Sequence, residues 1–173
     1  GCPVCYASAG EDRDGAGLPL DRIAAMRDFY KAREGGRPEI LQISGGEPTT
    51  HPQIEQILTL AKRKRFKYLM LNTNGLRLAA DADFAGFLGT LTPGFEVYLQ
   101  FDGVTDPVYQ KLRGAKLLDV KLRAIENLAR ERVPITLVAT ITRGVNEAQI
   151  GDIIRFGMET DCVRGVNFQP VAF

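Results

Sequence analysis

The chain has 173 residues, 45% of them hydrophobic and 25% charged, the balance of an ordinary globular protein long enough to bury a sizeable core. Its formal net charge of +1 excludes a broad nucleic-acid surface, and no apolar run reaches the roughly 18 residues a membrane span needs. Three cysteines and no secretory pattern exclude a disulfide scaffold and point to a reducing, cytoplasmic setting.

The chain begins with Gly1-Cys2-Pro3-Val4-Cys5-Tyr6. A C-x-x-C pair either grips a soft metal or works as a redox dithiol, and the spacing alone does not choose. A polar loop rich in Gly and Asp follows, over residues 7–17. From Leu20 the pattern turns helical, with Leu20, Ile23, Met26 and Tyr30 on one face, and Gly35-Gly36 with Pro38 ends that helix. Glu39–Ile43 reads as a strand running into Ser44-Gly45-Gly46-Glu47-Pro48. Thr50-His51-Pro52-Gln53 offers a capping box for a second helix to about Arg65, with Ile54, Ile57, Leu58 and Ala61 inward.

The alternation then repeats. Lys67–Leu71 reads as a strand ending in Asn72-Thr73-Asn74-Gly75, and a weak helix covers Asp81 to Leu91. Phe95–Phe101 is the third strand and ends in Asp102-Gly103. Asp106-Pro107 starts a helical turn, and Leu118, Leu122, Ile125 and Leu128 mark a helix to about Arg132. Ile135–Ile141 is the fourth strand, Asn146 to Gln149 an N-x-x-Q helix start, and Gly165–Pro170 the fifth strand. Near-continuous apolar strands alternating with helices predict an α/β fold with a parallel sheet, either a closed or partial barrel or an open doubly wound sheet.

Ligands of parallel α/β folds bind at the carboxyl ends of the strands. Those ends carry Gly45-Gly46-Glu47-Pro48, then Asn72 to Gly75, then Gln100, Asp102 and Gly103, then Thr140, Thr142 and Gly144, and finally Asn167 and Gln169. Turns are rich in Gly, Asn and Asp for local reasons. Gln100, Thr140 and Gln169 lie within apolar strands, where an unpartnered amide or hydroxyl costs about 1–3 kcal/mol, so a polar ligand at this rim is expected. Gly45 and Gly46 expose backbone without a Cβ, and Glu47 either stabilises a helix start or grips an ammonium. His51, the sole histidine, reads as a first-turn residue. Cys162 falls at the opposite end of the sheet and reads as an inert thiol, and Arg113 suits either a carboxylate ligand or a surface ion pair.

The combination of Cys2-Pro3-Val4-Cys5-Tyr6, Gly45-Gly46-Glu47-Pro48 after one strand and Asn72-Thr73-Asn74-Gly75 after the next resembles the radical S-adenosylmethionine (radical SAM) enzymes. The family signature is C-x-x-x-C-x-x-C followed by an aromatic residue. Cys2, Cys5 and Tyr6 match its end, and the first cysteine is expected four residues before Cys2. The resemblance implies that residues 1–173 form the radical SAM core, a TIM-like partial (β/α)6 barrel missing its first strand. It further implies a [4Fe–4S] cluster held by cysteine thiolates, including Cys2 and Cys5, with S-adenosylmethionine chelating the open iron. Reductive cleavage of the sulfonium then gives a 5′-deoxyadenosyl radical that abstracts hydrogen from a substrate.

By the same resemblance, Tyr6 lies near the adenine, and Gly45, Gly46 and Glu47 contact the methionine ammonium with Pro48 fixing the turn. Asn74, Gln100, Asp102 and Thr140 line the rim near the ribose, the carboxylate or the substrate. The implied partners are a small-molecule, lipid or peptide substrate and an electron donor such as flavodoxin or ferredoxin. Two other readings compete: a thioredoxin-like dithiol oxidoreductase using Cys2 and Cys5, and a metal-binding scaffold without catalysis. The parallel strand order argues against the first, and the polar strand ends against the second.

Overall fold

The computed structural model describes residues 17–36, 38–63 and 66–171. Its centre is a five-stranded sheet in the order β1 (Ile40–Ile43), β2 (Tyr68–Thr73), β3 (Phe95–Gln100), β4 (Ile135–Ile141) and β5 (Val163–Pro170). Every neighbouring pair is parallel. An open doubly wound sheet reverses direction at a switch point, whereas this order advances by one strand at each step, as in a (β/α) barrel. Among the described residues β1 and β5 are the edges of the sheet, so the architecture is a partial TIM-like barrel.

Helices fill the crossovers. In order they are α1 (Leu20–Arg33), α2 (Ile54–Arg63), α3 (Leu76–Ala80), α4 (Ala82–Gly89), α5 (Asp106–Arg113), α6 (Leu118–Arg130) and α7 (Ile150–Met158). One sheet face packs against them. Leu69, Leu71, Phe95, Val97, Leu99, Ile135, Leu137 and Ala139 meet Leu58, Leu78, Phe84, Leu88, Leu128 and Ile153 in a continuous core. Each fully buried Leu or Phe contributes about 1.5–3 kcal/mol. At the upper end of β3, Phe101 stacks on Phe156 of α7 with ring centroids 4.8 Å apart.

The other sheet face is different. Alternation puts Gln42, Met70, Asn72, Glu96, Tyr98, Gln100, Thr136, Val138 and Thr140 on it, with Asn167 beside Val138 across the β4–β5 pairing. Most are half-buried and polar. A parallel sheet covered by protein on both faces reads apolar on both, so this face is built for something polar.

Several local expectations are corrected. β2 runs two residues further than its apolar run, because Asn72 and Thr73 pair with Tyr98 and Leu99. The turn after it holds a short helix, α3, that the sequence pattern did not reveal; Asn127 of α6 donates to Leu78 O at 2.8 Å and ties it down. Asp81 caps α4 by accepting from Phe84 N–H at 3.0 Å. The Thr50-x-x-Gln53 capping box does not form. Thr50 closes a 3-10 turn (Pro48–Thr50) capped by Glu47, and His51 braces the bend just before α2, its Nδ1 accepting from Gln53 N–H at 3.0 Å. In α1 the expected inward stripe is not buried: Met26 is 55% exposed, and the buried residue is Arg27, paired with Asp28. Among the described residues the contacts of α1 include Tyr30 stacked on Phe66.

Candidate active site at the strand ends

The first part of the site is the turn after β1. Ser44, Gly45 and Gly46 are exposed, and Gly45 has φ +152°, a backbone state that L side chains rarely adopt. Glu47 turns away from solvent. Its Oε1 accepts from Thr49 N–H (3.1 Å), Thr49 Oγ1 (2.6 Å) and Thr73 Oγ1 (2.6 Å), and its Oε2 accepts from Asn74 N–H (2.7 Å). Three of these donors crowd Oε1 and one meets Oε2, which keeps one acceptor position without a donor among the described residues. Glu47 is therefore held as a strut between the turn and the end of β2, and the motif leaves open to a ligand the Gly45-Gly46 backbone and one position on Oε2.

The second part is the end of β2. Thr73 Oγ1 also accepts from Gly75 N–H at 3.1 Å, and Asn74 Oδ1 accepts from Leu76 N–H at 2.9 Å to start α3. Gly75 has φ +80°, and a Cβ there would lie 2.7 Å from Leu99 Cδ1. The Asn74 carbonyl accepts from Lys121 Nζ. The Asn74 amide NH2 has no hydrogen-bond partner among the described residues.

The third part joins β3 to β4. Asp102 is 0% exposed. Its Oδ2 accepts from Arg113 Nε (2.8 Å) and Gln100 Nε2 (2.7 Å), and its Oδ1 accepts from Arg113 Nη2 (2.9 Å) and Thr140 N–H (3.0 Å). Arg113 Nη2 also donates to Thr140 Oγ1 at 2.9 Å. The Arg113–Asp102 pair is thus a buried, side-on fork rather than a surface ion pair. Asp102 does not itself face a ligand; it aims Gln100, Arg113 and Thr140. Beneath it, Tyr109 donates to Gly103 O at 2.8 Å, and burial, then the Asp102 charge, pushes its phenol pKa upward.

Three residues of this network were missed, or their roles misread, in the sequence. Lys121 is fully buried on α6, and its Nζ reaches Gln100 Oε1 at 3.2 Å as well as Asn74 O. The available signal was its place in the inward stripe, three residues after Leu118 and four before Ile125, where an apolar residue is expected. Asn146 and Gln149 stand where the N-x-x-Q spacing expects them, before a 3-10 turn (Glu147–Gln149) and before α7, but neither side chain caps its helix. Asn146 Nδ2 donates to Asp102 O (2.7 Å) and Thr140 O (2.8 Å), and its Oδ1 accepts from Thr142 N–H (2.8 Å). Gln149 Oε1 accepts from Val104 N–H at 2.9 Å, and its Nε2 donates to Thr105 Oγ1 at 2.7 Å. Thr142 Oγ1, just past β4, is the one buried side-chain polar atom without a partner among the described residues.

Cys2, Cys5 and Tyr6 lie outside the described residues. Among those that are described, no group of three or more His, Cys, Asp or Glu stands ready to hold a metal ion. Cys162 precedes β5 at the other end of the sheet, and burial raises its thiol pKa, which disfavours a metal-binding thiolate. His51 is held on both ring nitrogens: with Nδ1 accepting from Gln53, its Nε2 donates to Leu18 O at 3.1 Å. No helix among the described residues is long and apolar enough to cross a membrane.

Comparison with known proteins agrees with this arrangement. The family model described as "Radical SAM superfamily" matches residues 1–157. The 7,8-dihydro-6-hydroxymethylpterin dimethyltransferase of Methanocaldococcus jannaschii is 35% identical over 176 residues, covering 99% of this chain and 34% of that protein. A probable GTP 3′,8-cyclase of Thermococcus kodakarensis is 29% identical over 125 residues, covering 71% of this chain and 38% of that protein. Among solved structures, Streptococcus suis SuiB bound to precursor peptide SuiA superposes with a TM-score of 0.80 at 19% identity, covering 99% of this chain and 36% of that one. The chain spans about a third of the length of the curated relatives named here.

Proposed function

The chain belongs to the radical SAM superfamily, and from that premise we propose that it is the part of an enzyme that binds S-adenosylmethionine and directs radical chemistry onto a small polar heterocycle. Cys2 and Cys5 serve as thiolate ligands of a [4Fe–4S] cluster, and Tyr6 lies beside the adenine. When bound, the reduced cluster and S-adenosylmethionine supply a 5′-deoxyadenosyl radical, with an external carrier such as flavodoxin or ferredoxin delivering the electron.

The chain's own residues bind and orient. The Gly45-Gly46 backbone receives the methionine ammonium, kept in place by Glu47 through Thr73 and Asn74, with Pro48 fixing the turn. Lys121, buried at the rim beside Gln100 and Asn74, adds positive charge where the carboxylate lies. Asp102 fixes Arg113, Gln100 and Thr140, so these groups do not reorganise when the ligand arrives. The observation that carries the reading is that polar groups without a partner among the described residues gather at one rim: the Asn74 amide NH2, the Thr142 hydroxyl and the exposed Gly45-Gly46 turn.

The substrate class rests on two supports. The relative aligned over nearly the whole chain at 35% identity is a pterin dimethyltransferase, and the open sheet face is polar, which disfavours a lipid. The likeness to a peptide-bound structure, at 19% identity, is a likeness of fold.

The test is anaerobic reconstitution of the full-length protein with iron and sulfide. The expected product is brown and yields 5′-deoxyadenosine from S-adenosylmethionine after reduction, and Cys2→Ala or Cys5→Ala abolishes both. A colourless protein that cycles between dithiol and disulfide would instead establish the oxidoreductase reading.

A further inference from the structure

The open sheet face holds one carboxylate among the described residues, Glu96 of β3. Thr136 of β4 donates its hydroxyl to Glu96 Oε1 and fixes the carboxylate across the strand pair. Glu96 makes no ion pair with a described residue, and its Oε2 has no partner among them; Oε1 keeps a second lone pair. One layer above, Asn167 donates to the Tyr98 hydroxyl, and Asn72 sits beside Tyr98 in register. Glu96 lies roughly 13 Å below Gln100 along the strand, four residues at about 3.3 Å each, the span of a bicyclic ring and its substituent.

A carboxylate with free acceptor positions and no cation among the described residues asks for a ligand that brings paired N–H donors. A ring N–H adjacent to an exocyclic amine meets both oxygens at once, as a guanidinium does. We propose that Glu96, oriented by Thr136, is the specificity-determining residue of this face, and that it reads the 2-amino-4-oxo edge of a nitrogen heterocycle whose far end points up to the rim. This deepens the function proposed above and rests on it.

The experiment uses the full-length, cluster-loaded protein with S-adenosylmethionine, titrated with two fluorescent probes. Pterin carries the 2-amino-4-oxo edge, and lumazine carries oxygen in place of the amine. The wild type binds pterin at least about 10-fold more tightly than lumazine. Glu96→Gln keeps the size of the side chain but offers a donor to the ligand's donors. It weakens pterin by about 10- to 100-fold and narrows or inverts the preference. Thr136→Val, which frees the carboxylate without removing it, lowers the preference a few-fold and covers the case in which Glu96→Gln does not fold. 5′-Deoxyadenosine formed without substrate stays at the wild-type level in both variants. An unchanged pterin-to-lumazine ratio in Glu96→Gln overturns the proposal, as does wild-type indifference to the two probes. Loss of 5′-deoxyadenosine in the wild type itself would instead sink the underlying reading.

Discussion

Arg113 grips Asp102 side-on, Nε to Oδ2 at 2.8 Å and Nη2 to Oδ1 at 2.9 Å, while Asp102 is wholly buried and Arg113 only 11% exposed. The remaining acceptor positions of Asp102 are filled by Gln100 and the Thr140 backbone. Asp102→Asn turns one oxygen into an NH2, and either orientation of the amide points it at a guanidinium donor. Breaking one side of a buried pair costs about 3–5 kcal/mol. Urea unfolding of the full-length protein should show a loss of that size, together with weaker S-adenosylmethionine binding in whatever fraction remains folded.

Glu47→Gln makes the same kind of test at the other strut. The Thr49 N–H points at one oxygen and the Asn74 N–H at the other, so whichever way the amide turns, a backbone donor faces an NH2. The expected cost is about 1–3 kcal/mol. Because the turn carries the exposed Gly45-Gly46 backbone, the dissociation constant for S-adenosylmethionine should rise by about 10-fold. An unchanged constant would remove Glu47 from any role in ligand binding.

Gly75→Ala meets two obstacles together, a φ of +80° and a Cβ placed 2.7 Å from Leu99 Cδ1. Strained backbone of this kind costs about 1–3 kcal/mol. The melting temperature should fall accordingly, whereas Gly114→Ala, at φ +81° but with open space around its Cβ, should fall less.

The alkaline limb of stability has a defined sign. Burial raises the Cys162 thiol above its ordinary value of 9.0, and burial with the Asp102 charge raises the Tyr109 phenol above its ordinary 10.0. For both, the unfolded chain ionises first, so their contribution is complete below the ordinary value and is lost as pH rises toward the folded one. Stability measured by denaturant titration should decline above about pH 9. Cys162→Ala should flatten the first part of that decline and Tyr109→Phe the later part.

Much of the frame was legible because it is local. The five strands follow from apolar runs of the right length, and their ends fall where Gly, Asn and Asp interrupt them. Glu47, Asn74, Gln100, Asp102 and Thr140 were all named from that placement, and the structure gathers them at one end of the sheet. What stayed hidden is long-range. Asn146 and Gln149 have the spacing of a helix cap, yet they bond to residues 44–45 positions away, a choice that depends on a loop elsewhere in the chain. Thr50 and Gln53 lost their capping roles because Glu47, three residues earlier, draws the turn toward β2. Lys121 interrupts an apolar stripe, and only the sheet shows what its ammonium reaches.

The protein-held carboxylates of Glu47 and Asp102 have a thermodynamic corollary. Side chains already locked by protein donors lose little rotamer freedom when a ligand docks, so the ordering cost of about 0.5–1.5 kcal/mol per side chain is met during folding instead. Association at this rim should therefore show a small entropic penalty. Substitutions on the floor of the open face, at Glu96 or Asn167, should retune selectivity while leaving the Glu47 and Asp102 networks intact.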